Sequence, residues 1–212
     1  MLEKTISVKR TARYFIIGDT TVPIQKVFIA FHGYGQLASL FGKKFDFLAT
    51  EGNIVIVPEA LSRFYLDAKY DRIGASWITR EMKEAEVEDS INFVNEVVKP
   101  FLKPETEIHL FGFSQGCSMV LRWANQLNRK VTSIVIWAGF FAKGLQDMIE
   151  LEKLEGVNCQ YIYGDKDEFL VHNPAIAKSF QDEIVKTGLF KITSFDGTHR
   201  VPNSVLKEVY NS

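Results

Sequence analysis

Six short apolar runs, rich in β-branched residues, alternate along this chain with stretches of helical period, and that alternation limits the fold more than any other feature. The runs cover residues 27–31, 54–57, 108–111, 134–137, 161–163 and 191–195. Most read as strands buried on both faces. Between them, Val87, Ile91, Val94 and Val98 recur near the helical spacing, as do Cys117, Val120, Leu121, Ala124 and Leu127. A parallel neighbour is reached only through a crossover connection, so the pattern calls for an α/β fold with a mostly parallel central sheet and helices on both faces. With 212 residues, 46% of them hydrophobic, the chain is long enough for one substantial core, and residues 1–212 are expected to form a single domain.

The boundaries agree with this count of elements. Thr79 is placed to cap a helix whose early turns carry Glu81, Glu84, Glu86 and Glu88, and Lys99-Pro100 to end it. Asn203, after Pro202, begins a short final helix. Residues 5–8 and 14–17, closed by Gly18-Asp19, read as an N-terminal β-hairpin. The 25 basic residues nearly balance the 26 acidic ones, which encodes no net pull toward nucleic acid or anionic lipid. No stretch is apolar and long enough for a signal-peptide core or a membrane span, so a cytoplasmic protein without stable membrane insertion is expected. Cys117 and Cys159 read as buried free thiols. They give neither a disulfide framework nor metal-ligand spacing, and no metal or cofactor is expected.

Chemistry enters at Gly112-Phe113-Ser114-Gln115-Gly116, which follows the strand at 108–111 and opens the helix carrying Val120, Leu121 and Ala124. The G-x-S-x-G pattern alone arises in roughly one protein of this size in fifteen. Its position between strand and helix is what gives it weight: a sharp turn with glycines on both sides lifts a serine oxygen clear of the sheet edge. A serine hydroxyl is a weak nucleophile near neutral pH and needs a base within hydrogen-bond reach. His199, in the loop after the last strand, is the candidate. His32 is expected to shape the Gly33-Tyr34-Gly35 loop, His109 to start a strand and His172 to start a helix.

The base in turn needs an acid to orient it. Gly164-Asp165-Lys166-Asp167 follows the strand at 161–163, and the acid is expected three residues after the glycine. That selects Asp167, leaving Asp165 as a turn former. An oxyanion requires fixed backbone N–H donors. Gln115, next after the serine, supplies one, and Tyr34 in the loop after the first central strand supplies the other.

At these residues the chain resembles the carboxylesterase/phospholipase branch of the α/β-hydrolases, which includes acyl-protein thioesterases and small bacterial carboxylesterases. The resemblance covers nearly the whole chain. It rests on His32-Gly33-Tyr34-Gly35, Gly112-Phe113-Ser114-Gln115-Gly116, Gly164-Asp165-Lys166-Asp167 and Gly197-Thr198-His199. It implies an α/β-hydrolase fold with the order nucleophile, acid, base, and it too makes the second aspartate of the turn the acid. Three places depart from the family. Gln36 stands where an aspartate usually follows the loop glycines, Glu168-Phe169-Leu170-Val171 replaces a proline-containing run after the acid, and 63–66 with 74–78 replace a stretch rich in proline and asparagine.

Larger lipases of this fold insert a helical lid after the strand that here spans 134–137. Only 19 residues, Phe140 to Asn158, separate Gly139 from Cys159, too few for a lid domain. An open cleft is therefore expected, walled by Trp77, Phe64, Phe140, Phe169 and Leu170 from segments that follow strands. The substrate this implies is an uncharged ester of a short or medium acyl chain, cleaved through an acyl-enzyme. Two alternatives share the sequence features: thioester, lysophospholipid or peptide hydrolysis on the same three residues, and a non-catalytic binding module on a hydrolase fold.

Overall fold

The computed structural model describes residues 1–211. In chain order the elements are β1 (Tyr14–Ile17), β2 (Lys26–Phe31), α1 (Ala38–Phe41), a run of tight turns over Gly42–Leu48, β3 (Asn53–Pro58), β4 (Ser62–Tyr65), β5 (Ile73–Ser76), α2 (Lys83–Val98) and β6 (Glu107–Phe113). They continue with α3 (Gln115–Gln126), β7 (Ser133–Trp137), β8 (Asn158–Gly164), α4 (Glu168–His172), α5 (Pro174–Thr187), β9 (Phe190–Phe195) and α6 (Asn203–Asn211). Seven strands form one sheet in the order β1-β3-β2-β6-β7-β8-β9. Every pairing in it is parallel except that of β1 with β3.

This order decides where a site can lie. The six parallel strands present their carboxyl ends on one edge. The chain leaves β2 for β3 on one side and later returns on the other side as β6, so the crevice between the ends of β2 and β6 is the topological switch point where ligands bind in such sheets. All the apolar residues of β2, β3, β6 and β7 belong to the core, as the continuous apolar runs require. β9 is the exception: it has only β8 beside it, and Lys191, Ile192 and Ser194 are exposed.

Three local expectations are corrected and one pair of strands is added. Only residues 14–17 of the expected hairpin form a strand, and they pair with β3, not with residues 5–8, which have no regular structure. The outer edge of β3 offers Val55, Ile56 and Val57 as apolar partners for Ile17, Ile16 and Phe15, a continuous match that residues 5–8, with Thr5 and Ser7 alternating with Ile6 and Val8, do not offer. Thr79 does not cap α2. The helix starts at Lys83 after Met82 in the left-handed region, and both the N–H and hydroxyl of Thr79 donate to the Glu86 carboxylate instead. His172 closes α4 and does not open a helix. Finally, 62–65 and 73–76, to which the sequence assigned no element, form an antiparallel ribbon of their own. No helix among the described residues is long and apolar enough to cross a membrane.

Candidate active site

The turn from β6 into α3 is tight enough to dictate its residues. A Cβ on Gly116 would lie 2.2 Å from the Phe31 carbonyl oxygen, and one on Gly112 would lie 2.6 Å from Cys117 Cα. Between them Ser114 has φ 51° and ψ −118°, a conformation that costs a side-chain-bearing residue on the order of 1–3 kcal/mol. The turn is over-determined by bonds that hold it there. Ser114 N–H donates to the Trp137 carbonyl at 2.8 Å, and Cys117 N–H donates to the Ser114 carbonyl at 3.0 Å. The Cys117 thiol is buried beneath the turn, and burial pushes its pKa up, so it stays a neutral filler.

Asp167 lies at the end of the β8 loop and caps α4: its Oδ1 accepts the Phe169 N–H at 2.8 Å. It is fully buried, and its Oδ2 lies 2.6 Å from His199 Nδ1. A carboxylate oxygen accepts, and the tautomer of a neutral imidazole that suits this bond has its hydrogen on Nδ1 and its lone pair on Nε2. The His199 loop has three further anchors. The His199 N–H donates to Glu168 Oε2 at 3.1 Å, the Trp137 indole donates to the Arg200 carbonyl at 2.9 Å, and the imidazole packs 4.9 Å from the Phe113 ring. Asp165 also serves this loop: its Oδ1 accepts the Gly197 N–H at 3.2 Å, so it braces a neighbouring turn and not its own.

Ser114 and His199 line one cavity of ≈410 Å³ together with Gln115, Phe140, Phe169 and Glu168. Of the five expected wall residues, Phe140 and Phe169 are there, stacked 5.2 Å apart. The other three are not among its lining. Trp77 is buried in the core, where its indole donates to the His32 carbonyl at 2.9 Å, because the segment after β5 turns inward under the β2 loop. Phe64, on the separate ribbon, packs tilted against Tyr34 at 5.0 Å, and Leu170 packs against the core from α4. Among the described residues, no group of three or more His, Cys, Asp or Glu side chains could hold a metal ion.

A family model described as Phospholipase/Carboxylesterase matches residues 12–212. The chain belongs to that family. Membership places it among the carboxylic ester hydrolases. Solved structures agree on the fold. Acyl-protein thioesterase 2 of Zea mays superposes with a TM-score of 0.71 at 15% identity, covering 95% of this chain and 97% of its own. Esterase PE8 gives 0.63 at 17% identity, covering 94% and 100%, and a ferulic acid esterase gives 0.64 at 13%, covering 92% and 89%. No curated protein matches the chain by sequence.

Within this phospholipase/carboxylesterase frame, the three departures noted in the sequence acquire physical roles. Gln36 folds back so that its Oε1 accepts the Gly33 N–H at 2.9 Å. Glu168, next after Asp167, is the carboxylate that tethers the His199 backbone, and hydrogen bonds from its own N–H and that of His199 hold its pKa below the usual carboxylate range. The 74–78 stretch is clamped by the Gln115 side chain, which accepts the Trp77 N–H at 2.9 Å and donates to the Ile78 carbonyl at 2.7 Å. Sequence reasoning assigned Gln115 only a backbone role and missed Glu168 and Gln36 as braces. Their places beside the acid and the loop glycines were the available signal.

Proposed function

We propose that this chain is a serine carboxylesterase of short to medium acyl esters, acting through an acyl-enzyme, with residues 1–212 as one catalytic domain. In this reading Ser114 Oγ attacks the ester carbonyl and gives its proton to His199 Nε2, while Asp167 holds the imidazole and steadies its positive charge. The imidazolium then protonates the departing alcohol. Water, deprotonated by the same histidine, releases the acid and restores the serine.

The observation that carries the reading is the His199 Nδ1 to Asp167 Oδ2 bond of 2.6 Å in a cavity that His199 shares with Ser114. The oxyanion donors are supported by elimination. In the loop after β2, Gly33 N–H goes to Gln36 Oε1, Gly35 N–H to the Ala75 carbonyl and Gln36 N–H to the Gly33 carbonyl. Among the described residues the Tyr34 N–H has no acceptor, and neither does the Gln115 N–H, first of α3. Two unspent donors beside a nucleophile suit a developing oxyanion.

A fluorophosphonate probe tests the assignment. Labelling is expected at Ser114 by peptide mapping and is expected to vanish in Ser114→Ala. A labelled Ser114→Ala would refute the nucleophile. A matched series of p-nitrophenyl esters and acyl thioesters on the purified protein then ranks acyl length and leaving group; a maximum beyond about twelve carbons would contradict the short-to-medium assignment.

A further inference from the structure

Beside the cavity of Ser114 and His199 lies a second, of ≈460 Å³, and the two have Gln115, Phe140, Phe141 and Phe169 in common. The buried and half-buried lining of the second continues the apolar surface with Ile78, Met148 and Ile176. Its charged lining is mostly cationic: Arg80, Lys83, Arg122 and Lys143 against a single carboxylate, Asp147. Arg122 Nη2 donates to Asp147 Oδ2 at 2.7 Å and Lys83 Nζ to the same oxygen at 3.3 Å, so two cations share that carboxylate. Arg80 and Lys143 are exposed and, among the described residues, form no ion pair. The net charge of −1 for the whole chain conceals this local excess.

The cations are carried on braced backbone. Arg80 follows Trp77 and Ile78, both held by Gln115, and Thr79, held by Glu86. Lys143 stands two residues before Leu145, whose N–H donates to Glu183 Oε1 at 3.0 Å. An apolar trough that starts at the serine and ends among unpaired cations matches an amphiphile with a charged tip.

We propose that the second cavity binds the anionic far end of the substrate. The ester's apolar segment lies along Phe140, Phe141 and Phe169 and ends in a carboxylate or phosphate group held by Arg80 and Lys143. This rests on the carboxylesterase reading and replaces the uncharged substrate expected from the apolar walls of the cleft.

The test compares p-nitrophenyl hemisuberate with p-nitrophenyl octanoate, equal in carbon count and different in the terminal carboxylate, with the ω-phosphono-octanoate ester as a third arm. In the Arg80→Ala/Lys143→Ala double variant, the hemisuberate-to-octanoate ratio of kcat/KM is expected to fall at least about tenfold. The same ratio in the wild type is expected to fall as ionic strength rises. A larger loss for the phosphonate than for the hemisuberate assigns the site to phosphate, and the reverse to carboxylate. A ratio that neither salt nor the double variant moves overturns the anion site while leaving the esterase intact. Absence of turnover of all three esters by the wild type, with no probe labelling, overturns the esterase reading and this site with it.

Discussion

Two histidines stand at the same carboxyl edge of the sheet, and the difference between them separates structure from chemistry. His32, at the end of β2, has both ring nitrogens engaged: Nδ1 donates to the Gly33 carbonyl at 2.8 Å and Nε2 accepts the Ala60 N–H at 3.1 Å. It is fully buried, and burial pushes its pKa down to about 4. His199, after β9, has Nδ1 bound to Asp167, no partner for Nε2 among the described residues, and a side chain 31% exposed. A ring with both nitrogens satisfied fixes a loop. A ring with one nitrogen open to a cavity has a lone pair to offer.

The largest expected effect comes from removing that lone pair. His199→Gln keeps a donor for Asp167 but no base, and kcat on a p-nitrophenyl ester is expected to fall by at least about 10⁴-fold. His32→Ala should do the opposite. It strands the Ala60 N–H and the Gly33 carbonyl, at about 3 kcal/mol together, while the folded fraction keeps turnover within about a hundredfold. Urea unfolding alongside steady-state kinetics separates the two. The contrast breaks if His32→Ala abolishes turnover without lowering the urea midpoint.

Titration sharpens the same comparison at a smaller scale. A buried histidine whose folded pKa is about 4 binds its proton less readily than the unfolded chain does near pH 6.5. The unfolded state therefore takes up protons first as the medium is acidified. The stability that neutral His32 contributes is fully present above pH 6.5 and is lost between there and pH 4, amounting to about 3 kcal/mol. Unfolding free energies of wild type and His32→Gln, measured across that window, should converge as pH falls. Parallel curves would mean that His32 is not buried neutral.

What could be read in advance divides along the same line. The strands at 27–31, 54–57, 108–111 and 134–137 were legible because a run buried on both faces is apolar at nearly every position, His109 being the exception, and the elbow was legible because Gly112 and Gly116 admit no side chain. Asp167 and His199 could be placed by loop position, since parallel strands deliver their following loops to one edge. The walls could not. Trp77 and Phe140 are both aromatic residues shortly after strands, yet one turns into the core and the other to the cavity. The choice is made by Gln115 gripping Trp77 N–H and the Ile78 carbonyl, a contact between segments 38 residues apart that no local pattern encodes. Glu59 was invisible for a similar reason. It is buried just after β3, where Arg13, 46 residues away in sequence, and Arg63, four residues on, reach it at 2.7 and 3.2 Å and the Ala38 N–H donates to it.

The smallest effect probes the loop of His32 through Gln36. Its side chain takes up the Gly33 N–H and leaves the Tyr34 N–H as the unspent donor of the loop. Gln36→Ala removes one part-buried hydrogen bond, about 1 kcal/mol, which for a chain of this length lowers the thermal midpoint by about 2–4 °C. If Tyr34 donates to the oxyanion, the loosened loop also spreads that donor over several orientations, and kcat should fall several-fold with little change in KM, because the bond is made only in the transition state. Gln36→Glu restores an acceptor for Gly33 and should recover most of both losses. A fall in the thermal midpoint with kcat untouched would separate the loop from the chemistry and move the second oxyanion donor elsewhere on the β2 end of the sheet.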